Sequence, residues 1–284
     1  MYKLCIIFAC CFGISFALQA AKVDTIEINS SYLQKKVKIA VVTPKSYQAG
    51  QTRYATLYLL HGGYGKFSDW LLNTPDKNLV HRLCDEYNLI FVLPDGGIGG
   101  YYLDSPINAT SQYESFIIKE VIPKVDATYR SINDRKSRVI SGLSMGGHGA
   151  LYLSTRNPEL FCAVGSMSGA VDINTDHWNV PPERRKAIAE RQANIWPSKQ
   201  DKPEFYLNNS VVSMTEKMKT NGLAMIFDCG VDDFLIEPNR ELHRRLLYNQ
   251  TPHEYTERPG AHTWEYWQNS LPVHLMFFKK VLGI

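Results

Sequence analysis

The sequence predicts an α/β protein with a mostly parallel central sheet and helices on both faces. Strand-like and helix-like segments alternate along the chain, and several strand-like runs are apolar throughout, Leu89-Ile90-Phe91-Val92-Leu93 being the clearest. A strand apolar on both faces belongs in a sheet covered on both sides. Strand–helix alternation joins parallel neighbours by right-handed crossovers. The 284 residues, 44% hydrophobic and 21% charged, suit one large domain and exclude a disordered, collagen-like or coiled-coil chain. The formal charge of +3 is too small, and the basic residues too scattered, to indicate a nucleic-acid partner.

The first segment, residues 1–20, carries Lys3 as its only charged side chain, then an apolar run over 4–18, then small residues at Ala17, Ala20 and Ala21. That order predicts a secretory signal peptide, and the run is short for a bilayer span of about 20 residues. The expected protein is secreted or periplasmic, without stable membrane insertion after cleavage. A lipoprotein is the weaker alternative, because Cys10 and Cys11 lie inside the apolar run instead of at its end. Cys84, Cys162 and Cys229 remain, an odd and widely spaced set that does not read as a disulfide scaffold.

Residues 21–284 read as a single domain. Strands are predicted at 25–33 and 37–43, joined by a short link as an antiparallel edge, and then at 54–60 and 89–93. A helix over 112–129 precedes a strand at 138–143, a helix at 147–156 and a strand at 161–167. The stretch 172–209 interrupts the rhythm. It is polar, with Pro181-Pro182, the basic Arg184-Arg185-Lys186, Trp178 and Trp196. Ligand sites in open α/β sheets lie beyond the carboxyl ends of strands, so this insertion is a candidate cap, with a plain surface excursion as the alternative. It contains a predicted helix at 182–194. Helices at 210–220 and 237–249, strands at 223–228 and 253–257, and a helix at 263–282 that Pro272 divides or kinks complete the chain.

Gly142-Leu143-Ser144-Met145-Gly146 follows an apolar strand and opens a helix of small residues. A serine on such a strand-to-helix turn has an exposed hydroxyl, and glycines two residues away on either side remove side chains that would collide. The helix N-terminus favours a developing oxyanion. Ser144 needs a base and an orienting acid, which follow it in chain order on elbows of this type. His243 and His274 lie within helices and His253 starts a strand. His262 sits in a loop after a strand and before a helix, where a reachable base belongs. The strand 223–228 runs into Cys229-Gly230-Val231-Asp232-Asp233-Phe234. Either aspartate could orient the imidazole; Asp233 is preferred, because Phe234-Leu235 would bury it. One oxyanion donor is the N–H of Met145. The second falls in His61-Gly62-Gly63 after an early strand, with Gly63 preferred over Gly62.

With Leu60-His61-Gly62-Gly63 and Trp70, Gly142-Leu143-Ser144-Met145-Gly146-Gly147, Cys229-Gly230-x-x-Asp233-Phe234-Leu235 and Gly260-x-His262-x-Trp264-x-x-Trp267, the chain resembles the esterase D-like branch of the α/β-hydrolases. That branch includes feruloyl and acetyl-xylan esterases, tributyrin esterases, S-formylglutathione hydrolases and mycolyltransferases. The resemblance implies an α/β-hydrolase fold, a serine esterase with an acyl-enzyme mechanism and the triad Ser144, Asp233 and His262. It supports Asp233 as the acid and Gly62-Gly63 with Met145 as the oxyanion site. No metal or organic cofactor is expected. The expected substrate is a small or polysaccharide-linked ester, acetyl or feruloyl. The Gly-rich then aromatic segment 95–106 offers Tyr101 and Tyr102 as substrate contacts, with Gly62 and Trp178. An acyltransferase on the same scaffold and a binding protein on a hydrolase fold are the alternatives.

Overall fold

The computed structural model describes residues 20–48 and 50–284; the predicted signal segment lies almost wholly outside them. Eight strands form one sheet: β1 (Lys22–Ser30), β2 (Lys35–Thr43), β3 (Thr56–Leu60), β4 (Ile90–Leu93), β5 (Arg138–Leu143), β6 (Ala163–Met167), β7 (Ala224–Gly230) and β8 (Glu254–Arg258). Their order is β1-β2-β4-β3-β5-β6-β7-β8. β2 is antiparallel to β1 and to β4; every other neighbouring pair is parallel. The doubly covered sheet expected from the apolar runs is therefore present, with its antiparallel edge.

Burial follows position in the sheet. Every residue of the central strands β3, β4, β5 and β6 is buried, whereas β1 buries only Ile28 and Ser30, and β8 buries none. Alternation across β3 divides the core. Leu57 and Leu59 join a cluster with Leu79, Leu83, Leu271 and Leu275, while Tyr58 and Leu60 join Phe116, Leu151 and Leu242 on the other face. β5, β7 and β8 run the same way, so the loops that follow them emerge at one edge. That geometry brings three segments distant in sequence to one place.

Several helices differ from expectation. The predicted helix over 112–129 is α-helical at Tyr113–Phe116, a π-turn at Ile117–Val121 and α-helical again at Ile122–Thr128. Pro123 withholds an N–H from the ladder, and the widened turn accommodates the loss. Residues 210–220 form a short 3₁₀ turn, Val211–Ser213, and a helix only at Thr215–Thr220. Helices at Leu79–Tyr87 and Pro203–Asn209 were not expected. Pro272 does not divide the last helix, which runs unbroken over Trp264–Leu282. An interior proline costs about 3 kcal/mol in an isolated helix. Here Trp267 and Leu271, with Leu275 and Phe278, are buried against the sheet on both sides of it and hold the helix together.

Candidate active site

β5 ends at Leu143 and the helix Met145–Arg156 begins at Met145, so Ser144 alone makes the turn. Its backbone lies at φ 56° and ψ −119°, a region costly for an L residue. The surroundings hold it there: the Ser144 N–H donates to the Met167 carbonyl at 2.9 Å, and the Ser144 carbonyl accepts from Ala170 at 3.0 Å and His148 at 3.1 Å. A Cβ on Gly146 would stand 2.6 Å from the Leu60 carbonyl oxygen, so the close packing of elbow on β3 requires glycine.

His262 Nε2 lies 2.9 Å from Ser144 Oγ, and His262 Nδ1 lies 2.8 Å from Asp233 Oδ2. Asp233 Oδ1 accepts the Leu235 N–H at 2.8 Å. A buried carboxylate beside Nδ1 favours the tautomer with the proton there, leaving the Nε2 lone pair facing the serine hydroxyl. The ring is held between Phe234, with centroids 4.5 Å apart, and Trp267 at 4.9 Å. The acid and histidine loops touch backbone to backbone: a Cβ on Gly230 would be 2.2 Å from the Gly260 carbonyl oxygen. Asp232 is exposed, and its N–H donates to that same carbonyl. The other late histidines lie elsewhere. His243 and His253 contact one another at 2.8 Å, and His274 is buried between Ser141 and Asp228.

Gly63 faces Met145 across a short gap, 3.9 Å from the Met145 Cβ to a Cβ placed on the glycine. Neither N–H has an acceptor among the described residues, so both are available to a developing oxyanion. The loop is fixed from behind. His61 Nδ1 donates to the Gly62 carbonyl at 2.8 Å, and Nε2 accepts the Gly96 N–H at 2.8 Å. Those roles need a neutral ring, and burial lowers the His61 pKa accordingly.

Ser144, His262, Gly63 and Met145 line a cleft of about 600 Å³. Gly62, Tyr101 and Trp178 line it too, as does one face of the helix Pro182–Gln192 from the 172–209 insertion, which forms a wall. Tyr102 does not. Its ring is fully buried in the space left by Gly96 and Gly149, where a Cβ would come within 2.2 and 2.4 Å of it. Its hydroxyl accepts the His61 N–H at 3.0 Å and donates to the His61 carbonyl at 3.2 Å. Tyr102, expected as a substrate contact, is instead packed beneath the oxyanion loop. Trp196 likewise sits behind the wall, packed on Tyr101 and Phe205. Cleft residues not singled out from the sequence include Tyr64, Asp69 and Ile188. Only proximity to Gly63 and to the insertion hinted at them. Among the described residues no group of His, Cys, Asp and Glu is arranged to hold a metal ion.

Tyr102→Phe should leave the buried His61 N–H without an acceptor, costing about 1–3 kcal/mol of stability. The oxyanion loop would loosen with it, so kcat should fall more than KM rises. Thermal unfolding and steady-state kinetics check both; an unchanged kcat would show that the ring serves packing alone.

The chain matches the family described as putative esterase over residues 30–278. It is 27% identical over 272 residues to an acetyl esterase of Caldicellulosiruptor saccharolyticus, covering 90% of this chain and 97% of that protein. It is 23% identical over 287 residues to the diacylglycerol acyltransferase/mycolyltransferase Ag85B of Mycobacterium leprae, covering 89% and 82%. A solved ferulic acid esterase superposes with a TM-score of 0.74 at 30% identity, covering 92% of this chain and 98% of that one. It shares the α/β-hydrolase fold expected from the motifs.

Proposed function

The chain belongs to the putative esterase family, and from that premise we propose that this serine carboxylic-ester hydrolase acts outside the cytoplasm on acetyl or feruloyl esters of carbohydrate, with Ser144, His262 and Asp233 as its triad. The observation that carries the triad is the unbroken hydrogen-bonded path from Ser144 Oγ through His262, both lining the cleft, to the buried Asp233. Ser144 Oγ attacks the ester carbonyl while His262 Nε2 takes its proton. The Gly63 and Met145 N–H groups receive the oxyanion, and Asp233 stabilises the imidazolium. His262 then hands the proton to the leaving alcohol. A water activated by the same nitrogen releases the acid.

The substrate class rests on the relatives and on the cleft walls. Acetyl and ferulic acid esterases are among the similar proteins. Tyr64 and Trp264, with the small exposed parts of the buried Tyr101 and Trp178, offer apolar surface to a sugar ring or a phenolic acyl group, at roughly 25 cal/mol per Å² removed from water. Export rests on the charge and apolar pattern of residues 1–20. Among the described residues no helix is long and apolar enough to cross a membrane.

The test compares kcat/KM for acetylated and feruloylated oligosaccharides with the matching methyl and p-nitrophenyl esters. A tenfold preference for sugar esters, about 1.4 kcal/mol of added transition-state binding, is expected. Strong turnover of simple esters with no such preference would leave a general carboxylesterase. The mycolyltransferase likeness favours a second reading, in which an alcohol replaces water in deacylation. Transesterified product formed with an added sugar acceptor would establish it.

A further inference from the structure

We propose that Arg184 and Arg191 form an anion subsite in this cleft, selecting esters whose alcohol portion bears a carboxylate, such as an acidic sugar. The proposal rests on ester hydrolysis at Ser144. Arg184, Ala187, Ile188 and Arg191 all face the cleft from the helix Pro182–Gln192. That spacing defines one helix face, so two cations flank a short apolar patch. The Arg184 guanidinium carbon lies 4.4 Å from the Phe234 ring centroid, and Phe234 packs on the His262 ring. Arg191 lies 4.9 Å from the Tyr64 ring centroid, beside the Gly63 loop.

Among the described residues neither arginine is occupied elsewhere. Lys186 on the same helix pairs with Glu190, and Lys199 pairs with Asp176. Arg184 and Arg191 have no ion pair and no side-chain hydrogen bond among the described residues, only their aromatic neighbours. A guanidinium stacked on a ring keeps its N–H edges free, and that planar fork matches a carboxylate. Among the described residues Asp69 is the only acidic one lining the cleft. Burial raises its pKa, and that single carboxyl stands against two guanidinium groups along the cleft. The side of the anion follows from proton transfer. His262 gives its proton to the leaving alcohol, and Arg184 is one aromatic ring away from His262, so Arg184 faces the alcohol portion.

The experiment pairs 4-nitrophenyl acetate with 3-carboxy-4-nitrophenyl acetate, which adds a carboxylate to the leaving group. Both are assayed with the unaltered protein, Arg184→Gln and Arg191→Gln. Arg184→Gln should lower kcat/KM for the carboxylated ester by about tenfold, and Arg191→Gln by less, with the neutral ester within about twofold for both. Raising ionic strength should lower only the carboxylated rate. Equal effects on both esters, or none, would overturn the subsite while leaving the esterase reading intact. Calorimetric binding of glucuronate against glucose provides an arm independent of turnover. If neither ester is hydrolysed, the esterase reading fails, and this arm decides the subsite alone. A glucuronate preference that Arg184→Gln abolishes supports it; no preference overturns it.

Discussion

Ser144→Ala is expected to lower kcat for ester hydrolysis by about 10³-fold or more with little change in melting temperature. The two halves of that expectation come from different atoms. Removing Oγ removes the hydroxyl that lies 2.9 Å from His262 Nε2, and with it the acyl-enzyme route. The residual rate would come from Gly63, Met145 and the cleft, which still orient the ester and receive the oxyanion. A loss of 10³ is about 4 kcal/mol of transition-state stabilisation. The fold should be indifferent, because what holds the strained turn is backbone: the bond to Met167, the bonds accepted from Ala170 and His148, and the glycine packing against Leu60. Alanine meets the same strain at φ 56° as serine does. Initial rates on p-nitrophenyl acetate and a thermal unfolding curve make the test. Near-normal turnover by this variant would take the nucleophile away from Ser144.

What the sequence made legible depended on how local the cause was. The central strands were readable because residues such as those of β4 are buried on both faces and must be apolar at every position. The elbow was readable because one backbone geometry dictates glycines at fixed distances from the serine. Once β5, β7 and β8 are parallel, the loops holding Ser144, Asp233 and His262 must share an edge, so their meeting followed from topology. Features set by distant neighbours were not readable. Tyr102 sits beneath the oxyanion loop because Gly149, far along the chain, leaves room for its ring. The stripe Leu79, Val80, Leu83 and Cys84 did carry a helical pattern, but nine residues give it too few turns to stand out. Pro272 misled because local propensity favours a break, and tertiary packing of the flanking residues overrode it. In the sequence Arg184 is one member of the basic cluster in the candidate cap, and nothing local distinguishes it from Arg185 and Lys186, which do not line the cleft.

Asp233→Asn is expected to cost up to about 10⁴-fold in kcat, and Asp232→Asn less than about twofold. The asymmetry follows from hydrogen-bond polarity. Asp233 Oδ1 accepts the Leu235 N–H and Oδ2 faces His262 Nδ1. An asparagine must place its one oxygen against one of those donors. The Leu235 N–H is buried and cannot turn away, so the oxygen stays there and the amide NH₂ points at His262. Nδ1 must then accept, and the ring proton moves to Nε2. Nε2 faces Ser144 Oγ and can no longer take its proton, although every heavy atom keeps its place. Asp232 has no such lever. It is exposed, and its link to the histidine loop is a backbone N–H to the Gly260 carbonyl, which substitution leaves unchanged. Kinetics on one activated ester ranks the two variants, and nitrogen-15 shifts of His262 report the tautomer directly. A large loss in Asp232→Asn with little change in Asp233→Asn would move the orienting role to Asp232. A loss in Asp233→Asn without a tautomer change would mean that the carboxylate acts chiefly by stabilising the imidazolium.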